Sequence, residues 1–453
     1  MNATTTEKRT RIRLWIVLFL FLVTTINYAD RATLSIAGSS MQKELGISAE
    51  QLGFIFSAFG WAYVICQIPG GWLLDRFGAK KVYGWGIALW SLFTLLQGFI
   101  HLLPGGMMVP ALFLLRFLVG IAEAPSFPGN SRIAAAWFPT HERASASALF
   151  NSAQYFATVI FAPLMGWMVA SFGWHHVFIV MGGVGLLVAI AWKHVIYSPR
   201  QHPRASKVEI DYIADNGGLV DMDLPSAKKS GSQWFYMKQL LTNRMMLGVY
   251  LGQYCINGIT YFFLTWFPVY LVQERGMSIL KAGFVASLPA LCGFAGGVLG
   301  GLFSDWLLRR GHSLTFARKL PIVLGLSLSA SIVLANYTEV EWIVVAVMAL
   351  AFFGKGVGAL GWAVVSDTAP RQVIGLAGGV FNMFGNIASI TTPIIIGFIV
   401  ARTGSFEWAL AFVAANGIVA VLSYLVIVGR IERIELKDPP QDGQLQAVPA
   451  PQH

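Results

Sequence analysis

Three features of the chain predict an all-α integral membrane protein of twelve transmembrane helices in two pseudo-symmetric six-helix halves. They are twelve apolar stretches of helical length, an internal repeat at about half the chain's length, and basic residues confined to alternate connections. Apolar residues make up 56% of the sequence and charged residues 12%, a balance that ordinary soluble domains do not reach. A helix needs about 20 apolar residues to cross ~30 Å of hydrocarbon. Such stretches fall at 14–36, 51–74, 82–102, 107–137, 144–171, 175–197, 245–272, 279–307, 319–336, 340–368, 372–401 and 407–429.

The first stretch follows Lys8-Arg9-Thr10-Arg11-Ile12-Arg13, which has the look of a secretory leader. No small-residue cleavage pattern precedes Asn27-Tyr28-Ala29-Asp30-Arg31, so it reads as a retained helix. At the end of helix 2 Gly71 leads into a short charged turn with Asp75, Arg76, Gly78, Lys80 and Lys81. It recurs in degraded form at the end of helix 8, where Gly301 and Asp305 answer Gly71 and Asp75 at a separation of 230 and Arg309-Arg310 follow. The same register relates Pro139 to Pro370, Phe150-Asn151 to Phe381-Asn382, Pro163 to Pro393 and Gly166 to Gly397. Parallel repeats of membrane halves place a binding site at their interface near the bilayer midplane, which points to transport. The expected divisions are a first half at 1–197, a polar connecting loop at 198–243, a second half at 244–436 and a tail at 437–453 expected to lack regular structure.

Of 32 Lys and Arg residues, 24 lie at the two termini or in the connections after helices 2, 4, 6, 8 and 10. The positive-inside rule then makes both termini cytoplasmic, and the net charge of +10 reflects topology, with no nucleic-acid partner expected. Cys66, Cys255 and Cys292 stand singly in apolar runs and give no disulfide or metal framework. Neither a nucleophile motif, a metal-ligand spacing nor a phosphate-binding loop is present, so an enzyme or an ATP-driven pump is not expected. A membrane sensor would need a soluble signalling domain, for which neither terminus offers the length.

Charges inside membrane helices are costly and mark function by default. Asp30 lies about sixteen residues into helix 1, which places it beyond the midplane toward the outside; Glu123 of helix 4 is expected nearer the middle or inner half. Arg116 precedes Glu123 by two helical turns and so shares its face. Desolvation and an ion pair pull a carboxyl's proton affinity in opposite directions, so a carboxyl beside a movable cation meets the requirement for a proton carrier; a static ion pair between helices is the alternative. Arg31 offers a fixed fork suited to a carboxylate, or snorkels to the interface. Lys355, among the glycines of Gly354-Lys355-Gly356-Val357-Gly358, is the second deep cation, facing either a ligand or a structural carboxylate. Asn151 with Gln154, and Asn382 with Asn386, share helix faces. Tyr63, Gln67, Trp362 and Ser366 add further polar groups. Asp75 and Asp305, with Gly71, Arg76 and Gly78, are candidate gating residues, their hydrogen bonds made in one conformation and lost in the other.

Asn27-Tyr28-Ala29-Asp30-Arg31-Ala32, Gln67 to Gly78, Arg116 to Pro125 and Trp137-Phe138-Pro139 resemble the anion:cation symporter family of the major facilitator superfamily, over residues 10–436. The segments 127–132, 150–158 and 252–257 are most similar to bacterial glucarate/galactarate permeases, with galactonate transporters next. The resemblance implies the major facilitator fold, a bacterial inner-membrane location, and a monomer importing a sugar-acid anion with protons and no other cofactor. It implies that Asp30 and Glu123 take up protons, with Arg116 as partner of the second, and that Arg31, Tyr63, Gln154, Trp362 and Asn382 contact the sugar acid. Galactonate, hexuronate or another organic anion is the alternative cargo, and drug efflux a more distant one that two deep cations oppose. A hexarate carries a carboxylate at each end, so Arg31 from one half and Lys355 from the other would match it better than a monocarboxylate. One departure stands out: Trp306 follows Asp305 where the motif has an arginine.

Overall fold

The computed structural model describes residues 10–139, 142–221, 233–369 and 374–435, which among them form helices and no strand. Twelve long helices make up the body. The first six are α1 (Ile12–Leu45), α2 (Ala49–Phe77), α3 (Ala79–Gln97), α4 (Gly105–Trp137), α5 (Arg143–Phe172) and α6 (Trp174–Val195). The second six are α7 (Arg244–Gln273), α8 (Ile279–Arg309), α9 (Leu314–Tyr337), α10 (Glu341–Thr368), α11 (Leu376–Thr403) and α12 (Glu407–Ile427). Eleven are long and apolar enough to cross a membrane. The other, α3, has 19 residues, about 28 Å of helix, and opens on Lys80-Lys81.

Local chemistry sets the helix ends. Ser48 and Gln51 form a reciprocal capping box at the start of α2. Asn243, Ser278 and Ser313 cap α7, α8 and α9, each such cap being worth about 1 kcal/mol. Gly78, at φ 82°, joins α2 to α3 as a single residue, a conformation that a side chain would strain. Helix α1 is longer than the apolar stretch at 14–36: small residues carry it on to Leu45, and Gly46 at φ 66° ends it. Asp30 and Arg31 therefore sit near its middle rather than toward an end. Both fourth helices of the halves are interrupted, where the apolar runs suggested continuous spans. Helix α4 breaks at Ala124-Pro125, directly after Glu123, where proline lacks an N–H; α10 breaks at Gly358-Ala359-Leu360, shortly after Lys355.

Within the first half α1 packs on α5, α2 on α4 and α3 on α6; across the halves α2 packs on α11 and α5 on α8. These crossings need glycine. A Cβ on Gly53 would lie 2.6 Å from the Pro393 carbonyl oxygen, and one on Gly283 2.7 Å from that of Ala162. Ser35 Oγ donates to the Thr265 carbonyl oxygen at 2.7 Å, and Gln273 Nε2 to Gln42 Oε1 at 2.6 Å. Their sequence separations are 230 and 231, the spacing of the repeat itself. Residues that touch their own repeat equivalents lie on the symmetry axis, so the pseudo-twofold axis runs between α1 and α7. All of these contacts gather toward the end of the molecule opposite the chain termini, which they close.

At the terminal end the connecting segment docks on the first half. Glu209, on a short helix at Lys207–Asp215, is fully buried and accepts the amide N–H groups of Ile12 and Arg13 at 2.9 and 3.2 Å. It thereby supplies the negative charge that the N-terminus of α1 favours. Arg13 reaches both Glu209 at 3.2 Å and Glu142 at 2.9 Å. The tail at 437–453 and the Ser/Lys/Gly patch at 226–232 lie outside the described residues.

Candidate functional site

A chain of buried charge runs between α1 and α4. Arg31 Nε donates to Glu123 Oε2 at 2.8 Å, and the two side chains are 6% and 0% exposed. Removing both charges from water costs several kcal/mol per ion before the pairing returns it, so each remaining atom matters. The guanidinium carbon of Arg31 stands 4.8, 4.6 and 5.2 Å from the ring centres of Tyr28, Phe59 and Tyr63. Desolvated cation–π contacts are worth about 2 kcal/mol. Among the described residues its Nη2 atom, however, has no hydrogen-bond partner, and neither does Glu123 Oε1.

Arg116 does not pair with Glu123, although the helical spacing puts both on one face. It donates instead to the backbone oxygens of Asp30 and Arg31, at 3.3 and 2.8 Å. The reason lies in α1, whose midpoint comes level with α4 and offers Arg31 to Glu123 first. The expected difference in depth between Asp30 and Glu123 is absent for the same reason. Asp30 is fully buried, and among the described residues neither of its carboxyl oxygens has a hydrogen-bond partner. A carboxyl held dry and unpaired can adjust its charge only by exchanging a proton.

Two adjoining cavities lie between the halves. The smaller is lined by Arg31, Phe59 and Arg116 from the first half and by Tyr261, Thr265 and Ser389 from the second. The larger is lined by Tyr28, Ser35, Gln154, Thr260 and Lys355, among others, and shares Leu264 with the smaller. Lys355 is buried, with its ammonium 4.9 Å from the Phe352 ring centre and no carboxylate in reach among the described residues. Gln154 Nε2 turns back to the Asn151 carbonyl oxygen at 3.2 Å.

The structure thus gathers Asp30, Arg31, Tyr63, Arg116 and Glu123 about one guanidinium and sets Gln154 and Lys355 on the neighbouring wall. Tyr63, which stands behind the Arg31 guanidinium, Trp362 and Asn382 are not brought into either lining. The Trp362 ring stands edge-on to Phe381 at 4.9 Å and is 52% exposed, while Asn382 Oδ1 accepts from Asn386 Nδ2 at 3.1 Å. Among the gating candidates, Gly78 forms the α2–α3 joint, a Cβ on Gly71 would meet nothing, and the Arg76 guanidinium lies 5.2 Å from the Trp72 ring. Asp305 meets Arg318 at 3.4 Å, and Arg318 meets Asp367 at 2.8 Å. The side chain of Asp75 lies outside the described residues.

Sequence reasoning missed Thr260 and Tyr261. Tyr261 faces Arg31 across the smaller cavity and donates to Asn386 Oδ1 at 3.0 Å. The repeat register held the signal: adding 230 to Asp30 and Arg31 gives Thr260 and Tyr261.

Comparison with known proteins bears on the family and the fold. The family model described as Major Facilitator Superfamily matches residues 20–317. A probable galactarate/D-glucarate transporter, GudP, of Escherichia coli (strain K12) is 63% identical over 96% of this chain and 97% of its own length. A D-galactonate transporter of Escherichia coli O6:H1 is 44% identical over 94% and 97%. Among solved structures, the inward-open xylose transporter XylE from E. coli superposes with a TM-score of 0.71 at 15% identity, covering 92% of this chain and 96% of that one, a likeness of fold.

Proposed function

The chain belongs to the Major Facilitator Superfamily, a family of membrane transporters and not of enzymes, and from that premise we propose that it imports a sugar-acid anion, galactarate or D-glucarate, together with protons by alternating access. The observation that carries this reading is the buried Arg31–Glu123 pair, of which Arg31 lines the cavity between the halves. Arg31 has one donor committed to Glu123 and another, Nη2, without a partner. A substrate carboxylate arriving at that guanidinium meets Glu123 as a like charge and a competitor. Protonation of Glu123 removes both objections and frees the fork for bidentate binding. By linkage, substrate bound at Arg31 favours the protonated form of Glu123 to the same degree. Asp30, unpaired one residue away, supplies a second protonation position and remains beside the Arg116 that holds the α1 backbone.

The second carboxylate of a hexarate would reach toward Lys355 on the other half. A ligand bridging the halves has reason to draw them together at the terminal end, which we assign to the cytoplasm from the basic connections. Uptake into reconstituted vesicles with an imposed pH gradient tests the reading. Accumulation of labelled D-glucarate or galactarate that collapses with a protonophore is the expected result. Equal uptake with and without the gradient would overturn proton coupling, and preference for galactonate would overturn the choice of cargo.

A further inference from the structure

Away from the central cavities, a groove of about 450 Å³ opens on the lipid-facing perimeter between α3 and α6. Gly84, Trp85 and Ala88 of α3 line it with Leu186, Ala189 and Ile190 of α6, and Lys80, Lys81 and Lys193 stand at one end. Its floor is built rather than accidental. A Cβ on Gly84 would lie 2.8 Å from the Trp192 ring, and the Trp192 indole N–H is tied to the Lys80 carbonyl oxygen at 2.9 Å. Trp85 and Ile190 are left 68% and 59% exposed beside it. Among the described residues no carboxylate pairs with any of the three lysines; Lys80 has only the Tyr197 ring, 3.1 Å from its ammonium, and Lys81 and Lys193 are exposed.

We infer that this groove holds an anionic phospholipid, with one acyl chain along Gly84, Trp85 and Ile190 and the phosphate among the three lysines. The occupant follows from two complementarities. A groove open to hydrocarbon is filled by hydrocarbon, and three ammonium groups without carboxylate partners at the headgroup level favour a lipid of net negative charge over a zwitterion. A basic pocket between transmembrane helices is the setting in which such headgroups are recognised. Because α3 follows α2 directly through Gly78, the lipid would also brace the end of α2 that holds Asp75 and Arg76.

Native mass spectrometry of the purified protein with phosphatidylglycerol or phosphatidylcholine of equal chain length tests this. Wild type is expected to retain one phosphatidylglycerol through activation that strips phosphatidylcholine. The change Lys80→Gln, Lys81→Gln and Lys193→Gln together should weaken retention, by about fivefold per lysine. A control carrying Arg309→Gln, Arg310→Gln and Lys319→Gln lowers the charge equally on the other half and should retain the lipid as wild type does. Equal retention of the two lipids by wild type would overturn the inference without calling on any variant. So would equal loss from the two triple variants, which would make the effect one of net charge.

Discussion

At the level of the cavity the first half places Asp30, Arg31, Arg116 and Glu123, while the positions 230 residues on hold Thr260, Tyr261, Ala346 and Phe353. Frame and break points are shared: Ser35 meets Thr265 across the axis, and the fourth helix of each half is interrupted just beyond its deep ionisable residue. Charge is not shared. A dry carboxyl and a guanidinium pair that must open and close need partners fixed relative to one another, and helices α1 and α4 of one half provide that. The facing half offers hydroxyls, amides and the lone Lys355, groups that suit a ligand present in only part of the cycle. In the proposed mechanism, proton chemistry therefore belongs to the first half and cargo selection is divided between the two.

The largest expected effect breaks the first half. Asp30→Asn or Glu123→Gln should abolish accumulation of D-glucarate against its gradient, while exchange of internal for external substrate survives. Counterflow and gradient-driven uptake measured side by side check this, and retention of both activities in both variants would remove the proton role. Next comes the cargo contact. Arg31→Lys keeps the charge but loses the fork, and should weaken binding by about 2 kcal/mol, roughly 30-fold. A binding constant unchanged by calorimetry would mean that Arg31 serves Glu123 alone.

A smaller and more selective effect is expected across the axis. Lys355→Gln should reduce affinity for hexarates more than for galactonate, because the second carboxylate loses its cation while a monocarboxylate loses little. Equal losses for all substrates, with a lowered melting temperature, would assign Lys355 to packing. The smallest effects should come from the turns. Asp75→Asn should slow transport with little change in binding, and Asp305→Asn should be milder still, because Arg318 keeps its 2.8 Å contact with Asp367. Stopped-flow exchange beside equilibrium binding separates the two, and a slower Asp305 variant would reverse the ranking.

Twelve helices and two halves were legible because membrane spans announce themselves by length and apolarity, and a repeat by its spacing. The deep charges were legible because hydrocarbon makes them costly. Their partners were not. Helical spacing assigned Arg116 to Glu123, since it registers neighbours on one helix and says nothing of what a second helix brings level. The packing of α1 beside α4 puts Arg31 Nε 2.8 Å from Glu123 Oε2, a contact between helices that no spacing within one helix records. The break after Glu123 was equally hidden, since Ala124-Pro125 sits within a continuous apolar run and a proline is as compatible with a kink as with a stop. Tyr63 and Trp362 came from resemblance rather than from any physical signal, and neither lines the cavities; Asn382, signalled by the repeat and by the helix face it shares with Asn386, lies outside the linings as well.

In the proposed cycle Glu123 yields Arg31 to the substrate by taking a proton. Equilibrium binding of D-glucarate measured across pH, in wild type and in Glu123→Gln, addresses that exchange without the complications of turnover. In wild type, affinity should fall as pH rises through the titration of Glu123, by up to tenfold per unit where one proton is linked to binding. In Glu123→Gln that dependence should be lost and affinity should stay near its low-pH value. A pH profile identical in the two proteins would contradict the account.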